Sequence, residues 1–135
     1  MADEYANIAE GDPVWLEIFA TDVQRARSFY STVFNWKFSD DAKYSPTEIA
    51  PFSFTGMTHG LFGGNITKAS EGERKRAAKS VKMYFFAKDL KAKMETIVAN
   101  GGKQVGDIEP EGEHGFIIRF EDSEGNLMGL YAAKS

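Results

Sequence analysis

Cysteine is absent from the 135 residues, which excludes disulfides, thiolate nucleophiles and thiolate metal sites. The absence is compatible with a reducing cytoplasm. Histidine occurs twice, as His59 and His114, and neither reads as having a partner histidine at metal-ligand spacing. Each reads as a loop or strand-end residue. Basic charge is not in excess: 16 Lys and Arg against 20 Asp and Glu leave a formal net charge of −4, the wrong sign for non-specific nucleic-acid binding. No apolar run approaches the roughly 20 residues of a membrane span. The opening MADEYANIAEGDP is acidic where a secretory leader would be basic and then apolar. There is no Gly-x-Gly-x-x-Gly, no P-loop and no Gly-x-Ser-x-Gly. The reading is a soluble cytoplasmic protein with no nucleic-acid or membrane partner.

What is present is a duplication. Val14 to Asp40 reads as strand, capped helix and strand, and Val81 to Asp107 reads the same way. A shift of 67 positions carries Val14 onto Val81, Phe19-Ala20 onto Phe86-Ala87, Asp22 onto Asp89 and Asp40 onto Asp107 without a gap. Size and a hydrophobic content of 42% with 11 Phe point to one globular domain whose halves share a core. Residues 1–12 are polar and aperiodic and are expected to be a loosely ordered tail. The domain then runs over 13–135, with module one at 13–67, a linker at 68–80 and module two at 81–133.

In the first strand Val14, Leu16 and Ile18 alternate with Trp15, Glu17 and Phe19. The following helix takes Thr21 or Asp22 as its cap and places Val23, Ala26, Phe29, Tyr30, Val33 and Phe34 on one face. An aliphatic strand face and an amphipathic helix bury each other, so Trp15, Glu17 and Phe19 belong to the opposite side of the sheet. Further extended runs are expected at Trp36-Lys37-Phe38, around Phe52-Ser53-Phe54-Thr55 and over Leu61 to Thr67, with Pro46, Pro51, Gly56 and Gly60 as turn signals. KASEGERKRAAKS, residues 68–80, lacks a sustained apolar face and reads as a solvated crossover. In the second half Asp89 caps a helix burying Leu90, Met94, Ile97 and Val98, which stops at Asn100-Gly101-Gly102. Strands follow at Lys103 to Val105, Gly115 to Phe120 and Leu127 to Ala132, the last two joined by Asp122-Ser123-Glu124-Gly125-Asn126. Each half is β-α-β-β-β.

DVQRARSFYSTVFNWKF, the helix ending in NGGK and the closing EDSEGNLMGLY resemble the vicinal oxygen chelate superfamily, which includes glyoxalase I, bleomycin-resistance proteins, extradiol dioxygenases and fosfomycin-resistance enzymes. The resemblance covers roughly Pro13 to Ala132. It implies an α+β fold of two βαβββ modules forming a curved, incompletely closed eight-stranded sheet, helices outside and a small-molecule cleft inside. It also implies pairing into a homodimer. Activity does not follow from it, because one scaffold hosts many chemistries.

Metal-dependent members carry His or Glu at repeat-related positions on strands one, four, five and eight. Here the resemblance places those positions on Trp15, about Gly64, Lys82 and Gly129. An indole has no free lone pair, an ammonium repels a cation and glycine has no side chain. The expectation is therefore no conventional metal and no cofactor, with Glu17, His59 and Glu121 as the donors from which a site could be rebuilt.

Strand parity puts Lys82, Tyr84 and Phe86, and Leu127, Gly129 and Tyr131, on the cleft face with Trp15 and Phe19. Such a surface suits a planar or ring-bearing organic ligand, and equally suits aromatic filling of a former active site. Lys82 and Glu17 are the candidate catalytic groups, as base, amine or ion-pair partners, with Arg119 and Glu121 as possible rim contacts. Two functional classes follow. One is a bleomycin-resistance-like protein that binds an aromatic or bulky organic molecule without a conventional metal. The other is a metal-independent lyase, isomerase or cyclase using Lys82 and Glu17.

Overall fold

The computed structural model describes residues 10, 15–54, 56, 63–77, 82–113 and 115–134. The expectations for the tail over 1–9, for His59 and for His114 lie outside the described residues. The described chain runs β1 (Trp15–Ala20), α1 (Val23–Phe34), β2 (Lys37–Phe38), β3 (Ile49–Ser53), β4 (Gly63–Lys68), α2 (Glu71–Ala77), β5 (Tyr84–Phe86), α3 (Leu90–Ala99), β6 (Lys103–Glu111), β7 (Gly115–Glu121) and β8 (Leu127–Ala133).

The duplication is real in three dimensions. Asp22 and Asp89 both sit in extended backbone, and each carboxylate accepts from the N–H three residues on, at Arg25 and Ala92, at 3.0 Å. The strands form two four-stranded sheets of identical order, β1-β4-β3-β2 and β5-β8-β7-β6, each with one parallel pair at the crossover. The barrel is not closed, and the eight strands are divided into two mixed sheets.

Both sheets turn the same face inward. Ile18, Ala20, Phe52 and Ile66 from sheet one, Ile118, Phe120, Met128 and Leu130 from sheet two, and Ala87 just after β5 join the apolar faces of α1 and α3 in one core. A chain of stacked rings runs through it: Tyr30 lies 4.5 Å from Trp36 and Trp36 4.4 Å from Phe52, while Phe34 reaches Phe85 and Phe120 across to sheet two. Val98, expected inward, is exposed.

The β7–β8 turn fastens one module to the other through polar groups. Tyr30 is fully buried and donates its hydroxyl to Asp122 at 2.7 Å. Asp122 also accepts from the backbone N–H of Glu124 and Asn126 and from the Asn126 amide. Burial pushes the Asp122 carboxyl up, against the pull of those donors, and pushes the Tyr30 phenol well up. Two residues on, Glu124 accepts from Arg25 Nε at 2.6 Å and from the Asp22 N–H at the start of α1.

Three local readings change. The linking tract contains α2, which opens on a reciprocal box: Ser70 N–H donates to Glu73 at 2.9 Å and Glu73 N–H to Ser70 Oγ at 3.2 Å. Its Arg74 is buried, donating to Glu71 and to Asn126. Pro51 is no turn: it lies within β3, where its carbonyl accepts from Ser39 N–H at 3.0 Å. The strand after α3 extends to Glu111, because a register shift between Val105 and Glu109, with Gly106 at φ 79°, lets it bend and continue along β7.

Candidate functional site

Parity along β1 separates the roles of its side chains as expected. Ile18 is buried and Leu16 packs against the core, while Trp15 is 55% exposed and Glu17 is exposed. On β5 Phe85 faces the core, and Tyr84 and Phe86 face out, Phe86 63% exposed. On β8 Met128 and Leu130 are buried and Leu127 and Tyr131 are half-buried on the other side.

Trp15 and Glu17 are organised by a residue that sequence reasoning missed, Asn65. Trp15 Nε1–H donates to Asn65 Oδ1 at 2.6 Å, and Asn65 Nδ2 donates to Glu17 Oε2 at 3.2 Å. Thr67 donates its hydroxyl to the same Glu17 oxygen at 3.0 Å and is also hydrogen-bonded to Asn65. The carboxylate is therefore held at one oxygen. Parallel pairing sets Glu17 beside Asn65 in sheet one and Tyr84 beside Gly129 in sheet two. Since Tyr84 is the repeat mate of Glu17, Asn65 is the repeat mate of Gly129. The assignment to Gly64 is corrected by one residue, and a one-residue shift reverses the face of a strand. Gly64 lies against β1, where a Cβ would overlap the Leu16 carbonyl oxygen and the Phe52 ring.

The second sheet holds the pocket. Tyr84, Phe86, Glu111, Ile117, Arg119 and Tyr131 line a cavity of about 590 Å³, within the size range of small-molecule sites. Gly129 lies under the Tyr84 ring: a Cβ there would overlap it, so the missing side chain is what lets that ring lie against β8. Arg119 donates to Glu109 Oε2 at 2.9 Å. Its guanidinium is held above its ordinary range by Glu109 first and by a hydrogen bond to Tyr84 second. Arg119, read from sequence as a rim contact, is among the residues that line this cavity, and Glu111 and Ile117 were not foreseen.

Glu17, Phe19 and Leu127 meet elsewhere, in a smaller cavity of about 160 Å³ with Met83 and Asn126. Lys82 is exposed, and among the described residues no ion pair joins it to Glu17. Glu121 is half-buried on β7. A third cavity, of about 780 Å³, opens on the other side of sheet two between α3 and β6, and none of the expected site residues lines it.

The donor set does not fit a divalent metal at the inherited positions. Asn65 brings an amide oxygen, but that oxygen already accepts from the Trp15 indole. The other three positions remain an indole, an ammonium and a glycine. Among the described residues no three His, Cys, Asp or Glu side chains gather into a group that could hold an ion.

Comparison with known proteins agrees with this architecture. The chain is 36% identical over 126 residues to a glyoxylase-like domain-containing protein of Didymella fabae, covering 91% of this chain and 94% of that one. A glyoxalase/bleomycin resistance protein/dioxygenase family enzyme from Burkholderia phytofirmans PsJN superposes with a TM-score of 0.67 at 15% identity, over 92% of this chain and all of that one. The fosfomycin resistance protein FosX of Listeria monocytogenes, in a monoclinic form, gives a TM-score of 0.69 at 16% identity over 94% of each chain. At such identities the two structures speak for the fold alone. The family model for the glyoxalase/bleomycin resistance protein/dioxygenase superfamily matches residues 13–130, and the chain belongs to that superfamily.

Proposed function

We propose that this protein binds a small aromatic or otherwise bulky organic molecule on its outward sheet faces and does so without a conventional metal. The observation that carries this reading is the pocket on sheet two, walled by Tyr84, Phe86 and Tyr131. Large apolar rings standing in solvent are costly unless something covers them, at about 25 cal/mol for each Å² of apolar surface. Trp15 adds a fourth ring on sheet one. Because each sheet turns one face outward, two copies that set sheet one of one against sheet two of the other would enclose a cleft, and a homodimer is part of the reading. So is a cytoplasmic setting, on the lack of cysteine; no helix of the described chain is long and apolar enough to cross a membrane.

One observation favours a second reading, a metal-independent lyase, isomerase or cyclase. Glu17 has its Oε2 fixed by two donors, which leaves Oε1 available as a proton acceptor. Lys82, exposed just before β5, would then polarise a carbonyl.

Ligand-observed NMR against a panel of aromatic metabolites, followed by turnover assays on each hit, separates the two. A binder shows saturable affinity that Phe86→Ala or Tyr131→Ala weakens and no turnover. Loss of a measured turnover in Glu17→Gln and Lys82→Ala, with affinity intact, would favour catalysis. A panel in which no aromatic compound binds would overturn both.

A further inference from the structure

We infer that the pocket on sheet two selects an organic cation, an alkylated ammonium carried on or beside a ring. This rests on the binding reading above and narrows it to a ligand class. Three aromatic rings, Tyr84, Phe86 and Tyr131, line the cavity together with the Glu111 carboxylate. The face of an aromatic ring is negative, so several rings around one volume attract a cation whose hydration shell has been removed. A carboxylate at the same mouth adds a full charge of the same sign.

The positive group in the pocket, Arg119, does not reverse this. Its guanidinium donates to Glu109 at 2.9 Å, so its charge is offset within the protein. Glu111 has no cation paired with it among the described residues. Glu111 and Arg119 are the charged residues that line the cavity, and with Arg119 already paired to Glu109 beside it the unpaired charge left at the lining is the Glu111 carboxylate. Arg119 is half-buried and bonded to Glu109, which leaves an anionic ligand to compete with a carboxylate already in place.

The same pair of groups recurs on sheet one. Trp15 gives its N–H to Asn65, so what it presents to solvent is its ring face. Two positions on, Glu17 keeps Oε1 free of partners among the described residues while Oε2 is held. An exposed ring beside an oriented carboxylate thus occurs on both outward faces.

Calorimetric titration of the full chain with three probes that share a benzyl group tests this. Benzyltrimethylammonium should bind at least tenfold more tightly than benzyl alcohol, with phenylacetate weakest. Glu111→Gln should weaken the cation by about tenfold, the size of one charge interaction across a few ångströms of partly wet pocket, and weaken benzyl alcohol by much less. Phe86→Leu should also weaken the cation, and an unchanged circular-dichroism spectrum shows that either variant is folded. Equal binding of the three probes would overturn the inference and leave the aromatic-binding reading standing. Tightest binding by phenylacetate would make Arg119 the anchor and overturn the inference. No binding by any of them would remove both.

Discussion

The hydroxyl of Tyr30 is one oxygen atom, yet it joins the two modules. It lies in the core at 0% exposure and donates to Asp122 at 2.7 Å across 92 positions of chain. Tyr30→Phe keeps the ring stacked on Trp36 and removes that bond together with a weak contact of the same hydroxyl to Met128 Sδ at 3.1 Å. A hydrogen bond to a charged group is worth about 1.5–3 kcal/mol net. Asp122 keeps its two backbone N–H donors and the Asn126 amide, so no buried group is orphaned, and the expected cost is about 2 kcal/mol. With a urea slope of about 2 kcal/mol per molar, the midpoint should fall by about 1 M. The thermal midpoint should fall by about 7 °C for a chain of this size. Equilibrium urea unfolding followed by circular dichroism reads both the midpoint and the slope. The transition should stay single, because the apolar core still spans both sheets. A loss under about 0.5 kcal/mol would refute the assignment of this bond as a major inter-module tie, and a split transition would refute the shared core.

Glu124 gives a pH-dependent counterpart. Burial acts to raise its carboxyl, but Arg25 and the Asp22 N–H outweigh this and hold it below the usual carboxylate range. A depressed folded value contributes stability that is present above the unfolded carboxylate range and lost as pH falls through the folded one. Wild type should therefore exceed Glu124→Gln in thermal midpoint at pH 7, and the gap should narrow as the pH is taken down through the acid range; a gap that widens on acidification contradicts the assignment. Gly64→Ala should destabilise far more than Gly129→Ala, measured by urea midpoint, because the first Cβ meets a backbone carbonyl and the second a surface ring that can turn. Gly129→Ala should instead lower ligand affinity by displacing Tyr84. Iodide should quench the emission that Trp15→Phe removes and spare the rest, since Trp36 is 5% exposed; equal quenching of both indoles would contradict the packing.

What was legible in the sequence was local. Asp22 and Asp89 announce their helices because a cap is decided by the next three residues, and β1 shows its two faces because strand parity needs no partner. The box that opens α2 was equally local, Ser70 with Glu73, but a seven-residue helix has too short an apolar face to register as one. Asn65 was hidden for another reason. Its place depends on which residue of β4 lies beside Glu17, and that pairing is set by hydrogen bonds between strands 48 positions apart. Arg119 likewise gains its role from Glu109, brought opposite β7 only after the register of β6 shifts. The buried tie from Tyr30 to Asp122 gives no signal in either segment alone, since a tyrosine on an apolar helix face reads as core.

The central claim is that this chain keeps the scaffold of its superfamily with a donor set that no longer suits a divalent metal. Elemental analysis of protein purified without chelator, then calorimetric titration with manganese, zinc and nickel, tests it most directly. The account predicts well under one ion per chain and no saturable heat at the positions of Trp15, Asn65, Lys82 and Gly129. One tightly held ion per chain, lost on Asn65→Ala or Glu17→Ala, would contradict it.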